Sequence, residues 1–189
     1  MRQVLGAWIR GRLSPTLRVA LGRCGRLPSR RMRRFMRLNM SDNWLMFIPA
    51  DPNVLPTTGA AENAAQLLKT FLPDAYGEVS AQFSEQMEFH NGGANWSGVK
   101  CAECGANVDE WWGDAMDRAW KSRFENLGAV TPCCGHATTL NDLNYVWPAG
   151  FSRFVLKAMN PNIRQTTSEQ DEALSRALGF ALRKVWMHI

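Results

Sequence analysis

Cys101-Ala-Glu-Cys104-Gly105 and Thr131-Pro-Cys133-Cys134-Gly135-His136 decide how this chain is read. Four of its five cysteines lie in these two short pieces, and each piece contains a Cys-Gly step. Glycine after cysteine lets backbone N–H groups fold back toward the thiolate, which suits a metal ion. The first piece is a standard C-x-x-C-G knuckle. The second departs from it. Aligned on Cys134-Gly135, it has Thr131 where the first cysteine belongs, and Thr is a poor zinc ligand. The missing donor is Cys133 or, across Gly135, His136. Neighbouring residues usually point apart, which counts against Cys133 and Cys134 binding together, but a tight turn after Pro132 brings them round. The expected site is Cys101, Cys104, Cys133 and Cys134 on one structural Zn2+, with three thiolates and His136 as the rival set. A catalytic zinc keeps three ligands and an open, water-bearing position, and four soft donors argue for the closed kind.

The spacer between Cys104 and Cys133 holds 28 residues, against the roughly 15–20 usual between ribbon knuckles. A helix accounts for the excess. From Trp111 to Phe124, at about 100° per residue, Trp111, Trp112, Ala115, Met116, Ala119, Trp120 and Phe124 share one broad face. Such a stripe is expected to pack on the body of the protein rather than to offer an aromatic surface.

Outside this segment the chain reads strand, helix, strand, strand, helix, strand. Trp44–Ile48 is a short apolar run closed by Pro49, a buried strand. Thr57 or Thr58 caps a helix with Glu62 in its first turn and Ala61, Ala64, Ala65, Leu67, Leu68 and Phe71 on its inner stripe; Pro73 ends it. Period-two spacing over 78–89 marks a second strand, with a bulge near Ser84. A short strand from Trp96 to Val99 leads into Cys101. Beyond the knuckles, 137–140 and 144–147 are expected to form a hairpin across Asn141-Asp142. Residues 151–159 read as a strand, Ser168 caps a helix that Gly179 terminates, and 182–189 closes the chain as a strand. The fold class is α+β: a ferredoxin-like split β-α-β antiparallel sheet with the zinc segment, at about 100–147, inserted between its second and third strands.

Charge divides the chain. Residues 1–40 hold eleven Arg and no Lys, Asp or Glu, while the rest holds eleven basic and seventeen acidic residues, a balance of −6. The overall +5 describes neither part, so whole-chain charge is no argument for nucleic acid. The Arg-rich segment is expected to be disordered. Met36 and Met40 precede the first foldable stretch, and a start at or near Met40 would make the segment an upstream misassignment. A basic arm for nucleic acid or anionic membrane, and a transit peptide, are the alternatives. Cys24 lies in this segment and is left out of the site. Residues 41–189 form a single domain. No secretory signal and no run of about 20 apolar residues is present, and clustered cysteines fit a reducing compartment, so the cytoplasm is expected.

Two other histidines and one carboxylate are candidates for chemistry. His90, before Gly92-Gly93, reads as a solvent-exposed turn residue, and His188 as structural. Asp142 reads as a turn former. No phosphate-binding loop, dinucleotide turn, H-E-x-x-H helix or G-x-S-x-G elbow occurs, and the reading leans against an enzyme.

The two knuckles resemble a zinc ribbon. More broadly, LMFIPADP, CAECG, WWGDAMDRAW, TPCCG, LNDLNYVWPAGFSRF and LRKVWMHI make residues 42–189 similar to a family of small uncharacterised bacterial proteins. The resemblance implies the zinc site but no activity. The expected function is a non-catalytic, zinc-stabilised interaction or regulatory protein that binds another protein. A nucleic-acid-binding ribbon using the Arg-rich arm is the first alternative, and a zinc-dependent hydrolase or other zinc enzyme, or a pocket around His90 and Asp142, is the second.

Overall fold

The computed structural model describes residues 42–189; what was expected of 1–40 lies outside the described residues. Four strands form the central sheet: β1 (Asn43–Pro49), β2 (Val79–His90), β7 (Gly150–Met159) and β8 (Leu182–His188). Their order is β2-β7-β1-β8, and every neighbouring pair is antiparallel. Helix α1 (Thr58–Phe71) joins β1 to β2, and α3 (Ser168–Leu178) joins β7 to β8. The molecule is therefore mixed α/β with an antiparallel sheet.

Alternation along each strand sorts the core into two faces. Leu45, Phe47, Phe154, Leu156, Ala158 and Val79 meet Ala61, Ala64, Ala65 and Leu68 of α1 and Leu174 and Leu178 of α3. Both helices thus cover one face. Small alanines on α1 let it approach the sheet, while Phe154 and Leu156 fill the volume. Met46, Ile48, Val155 and Val185 form the smaller core of the opposite face.

Helix ends follow the expected chemistry with shifts of a residue or so. Thr57 caps α1 by accepting the Ala60 N–H at 3.2 Å. Glu62, expected in the first turn, falls in the second, because Thr58 already opens the helix. Thr167 rather than Ser168 caps α3: its hydroxyl accepts the Gln170 N–H, and the Gln170 side chain accepts the Thr167 N–H at 2.9 Å, a reciprocal capping box. Gly179 closes α3 in the left-handed conformation, φ 88°.

The insertion runs from the end of β2 to the start of β7. It contains β3 (Val99–Lys100), α2 (Asp109–Lys121), β4 (Gly128–Val130), β5 (Ala137–Thr139) and β6 (Asn144–Tyr145). The bulge expected near Ser84 is present and larger than a single residue. Phe83 faces Phe154 while Glu88 faces Ser152, so five steps along β2 match two along β7. Beyond it the chain reaches the far edge of the sheet, where Gly93 bridges His188 and the Ala94 N–H donates to His188 O at 2.8 Å. The Trp147 indole lies directly on Gly92 and donates to Trp186 O at 2.7 Å. A Cβ on Gly92 would overlap that ring.

The hairpin expected across Asn141-Asp142 is not formed. Residues 137–139 pair with 128–130, and 144–145 pair with 99–100, so the two segments belong to separate two-stranded sheets. A 3-10 turn, Leu140–Asp142, separates them. The cause is Asn141, which is buried and bridges insertion to sheet. Its Oδ1 accepts the Phe151 N–H at 3.1 Å, and its Nδ2 donates to Ala50 O at 3.0 Å. Arg183 adds Nη1 bonds to Asn141 O at 2.9 Å and Ala149 O at 2.7 Å.

Candidate metal centre

Two hairpin-like turns carry the cysteines, and their backbones repeat one another. In the first, the Gly105 N–H donates to Cys101 O at 3.0 Å and the Cys101 N–H to Ala106 O at 2.8 Å. In the second, the Gly135 N–H donates to Thr131 O at 2.9 Å and the Thr131 N–H to His136 O at 3.0 Å. Gly105 and Gly135 have φ 72° and 71°, with open space around each. Left-handed backbone, not crowding, is what calls for glycine there. Thr131 thus stands in the place that Cys101 holds in the first turn.

The structure brings Cys101, Cys104, Cys133 and Cys134 together, with all four sulfurs within 4.8 Å of one another. Cys104 and Cys133 lie 3.3 Å apart, Cys101 and Cys134 3.7 Å, and Cys133 and Cys134 3.9 Å. A Zn–S bond of about 2.3 Å sets the edge of a tetrahedron at about 3.8 Å, so the donor set fits such an ion in number, element and spacing. The adjacent cysteines do converge: Cys133 reaches the cluster from the tip of the turn, where Thr131 leaves a sulfur missing. Thr131 is fully buried, and its Oγ1 lies 3.4 Å from Cys134 Sγ and 3.7 Å from Cys101 Sγ. It touches the sulfurs without replacing one. His136 is outside the cluster. Its side chain is 42% exposed, with Nδ1 4.0 Å from Glu103 Oε2.

Proton affinities within the cluster are split. The Cys104 N–H aimed at Cys101 outweighs burial and, with the Thr131 hydroxyl and the Glu103 N–H, pulls the Cys101 thiol down to about 6. The Ala106 N–H favours a thiolate at Cys104, but crowding by the sulfurs of Cys133, Cys101 and Cys134, together with burial, overrides it and pushes that thiol up to about 12. Four adjacent sulfurs cannot all carry charge unaided; a divalent cation removes that conflict.

Short-range bonds hold the first turn to α2. Asp109 opens the helix and accepts the Val99 N–H at 2.5 Å and Asn107 Nδ2 at 2.8 Å. The inner stripe of α2 is Trp112, Ala115, Met116 and Ala119, all buried. Trp112 stacks at 4.7 Å on Trp96 and meets Phe89 at 5.9 Å, and its Nε1 donates to the Tyr145 hydroxyl, which in turn donates to Leu140 O at 2.7 Å. Burial pushes the Tyr145 phenol well up. Two expectations for this helix need correction. It ends at Lys121, with Phe124 buried beyond it at φ 62°, and Trp120 stays 55% exposed while packing edge-on against Phe124.

The other candidate residues stand apart from the sulfurs. His90 is not a solvent-exposed turn residue: it ends β2 opposite Gly150, is 9% exposed, and its Nε2 is buried without a hydrogen-bond partner. Burial lowers its pKa. His188 Nδ1 pairs with Asn43 Oδ1 at 2.7 Å. Asp142 Oδ2 accepts the Thr139 hydroxyl at 2.6 Å. Asp142 lines a cleft of about 440 Å³ with Asp51, Glu125 and Asn141, and His90 is not in its wall. The Asn141–Arg183 knot and the role of Thr131 beside the sulfurs were missed from sequence. For Thr131 the signal existed, since T-x-x-C-G aligns with C-x-x-C-G. No helix among the described residues is long and apolar enough to cross a membrane. No family model matches the chain, and no curated protein or solved structure matches it.

Proposed function

We propose that this is a non-catalytic, zinc-stabilised interaction protein, in which a structural Zn2+ on Cys101, Cys104, Cys133 and Cys134 fixes the insertion beside the sheet for a protein partner. One observation supports the reading: four sulfurs lie within 4.8 Å of one another, the donor number and element of a structural rather than a catalytic zinc site. The insertion is a zinc ribbon with a helix between its knuckles, and the body is ferredoxin-like. The strand order β2-β7-β1-β8 with α1 and α3 on one face supports the latter. Three exposed cysteines without disulfides fit a reducing compartment such as the cytoplasm. Nucleic-acid binding draws on the Arg-rich arm alone, because residues 41–189 carry −6. Hydrolysis is disfavoured by the full thiolate shell and by His90 and Asp142 belonging to different surroundings.

The test is chelation followed by hydrogen exchange. Stripping the metal is expected to raise amide exchange at least about tenfold across 99–147 and to leave the β1, β7 and β8 amides protected. Pull-down by the loaded protein but not the stripped one completes the reading. Unchanged exchange in the insertion would remove the metal from its structural role.

A further inference from the structure

The sulfurs of Cys104 and Cys133 lie 3.3 Å apart, closer than Cys101–Cys134 or Cys133–Cys134, and both side chains are exposed, as is that of Cys134. Cys101, by contrast, is buried beneath Thr131. Cys133 also stands outside the frame of its own turn. The backbone bonds that fix that turn run from Thr131 to Gly135 and His136 and involve no group of Cys133. Its sequence neighbour is a poor disulfide partner, since adjacent Cα atoms lie about 3.8 Å apart, short of the roughly 4.4–6.8 Å usual across a disulfide. Cys104, across the cluster, is the partner that geometry offers.

We propose that Cys104 and Cys133 are an oxidative modification site, at which a peroxide links the two knuckles through a disulfide and ends metal binding. The loss of metal rests on the zinc reading above; the choice of sulfurs does not. One thiolate of the pair attacks a peroxide oxygen, so that an S–O bond forms, the O–O bond breaks and hydroxide leaves. The second thiolate attacks the resulting sulfenic sulfur, the S–S bond forms and a second hydroxide departs. Two electrons pass from the sulfurs to the peroxide. Cys101 and Cys134 then remain as half a shell, too few donors to hold the ion. The new bond spans the same turns that the metal spanned, so the knuckles stay joined after the metal has gone.

The experiment uses the full chain loaded with Zn2+ and treated with hydrogen peroxide. Release is followed with a coloured zinc indicator, and disulfides are mapped by mass spectrometry without reduction. The expected result is release of about one metal per chain in step with a single Cys104–Cys133 crosslink, both reversed by a dithiol reductant. Cys133→Ser is expected to abolish that crosslink, and wild-type protein stripped of metal is expected to form the same one. A Cys101–Cys134 or Cys101–Cys104 bridge as the first product would overturn the proposal, as would zinc retention under excess peroxide. A chain that never takes up zinc but still forms the Cys104–Cys133 crosslink would sink the zinc reading and leave the modification site standing.

Discussion

Thr131 stands where a knuckle cysteine would, and its hydroxyl touches two sulfurs without supplying a donor. Residues in that position orient the ligands, and their loss costs about 10–100-fold in metal affinity. Thr131→Val is therefore expected to weaken zinc binding by about that factor in a chelator competition. His136→Ala should leave the affinity within about threefold, because His136 lies outside the cluster. His90 makes a separate prediction. Burial gives it a folded-state pKa below its unfolded value. The unfolded chain then binds the extra proton as pH falls below about 6.5, so stability is full above that value and declines beneath it. Urea midpoints taken between about pH 7.5 and pH 5 should fall more steeply for wild type than for His90→Phe. Equal slopes would show that His90 takes its proton in the folded state.

Elements show where local sequence was enough and where it was not. The strands of the sheet and its two covering helices were legible because alternation and stripe periodicity are written locally: Leu45 and Phe47 on one face, Met46 and Ile48 on the other. The inserted pairings were not. β4–β5 and β3–β6 are two or three residues long, and the turn between β5 and β6 is held by Asn141 and Arg183, far apart in sequence. The four cysteines were legible as a cluster because knuckle spacing is a local code. The burial of His90 opposite Gly150 and the crossing of the chain to β8 were not, since both are long-range contacts. Gly92 tests that crossing. Gly92→Ala should displace Trp147 and cost about 1–3 kcal/mol, read by thermal unfolding. A milder control is Thr167→Ala, which removes the capping box and should cost about 1 kcal/mol.

In the described molecule as a whole, the insertion and its four-cysteine cluster adjoin a sheet whose one face is closed by its own two helices. The sheet core needs no metal, since Phe154, Leu156 and Leu174 are buried without any contribution from the knuckles. The insertion packs its aromatic cluster around Trp112 against Phe89 of β2, and its two knuckle turns meet at the sulfurs. Zinc-edge X-ray absorption on the purified protein tests the central claim most directly. The account predicts one bound zinc with four sulfur neighbours at about 2.3 Å. A shell of three sulfurs with a nitrogen or oxygen, or protein that purifies without zinc and takes none up, would contradict it.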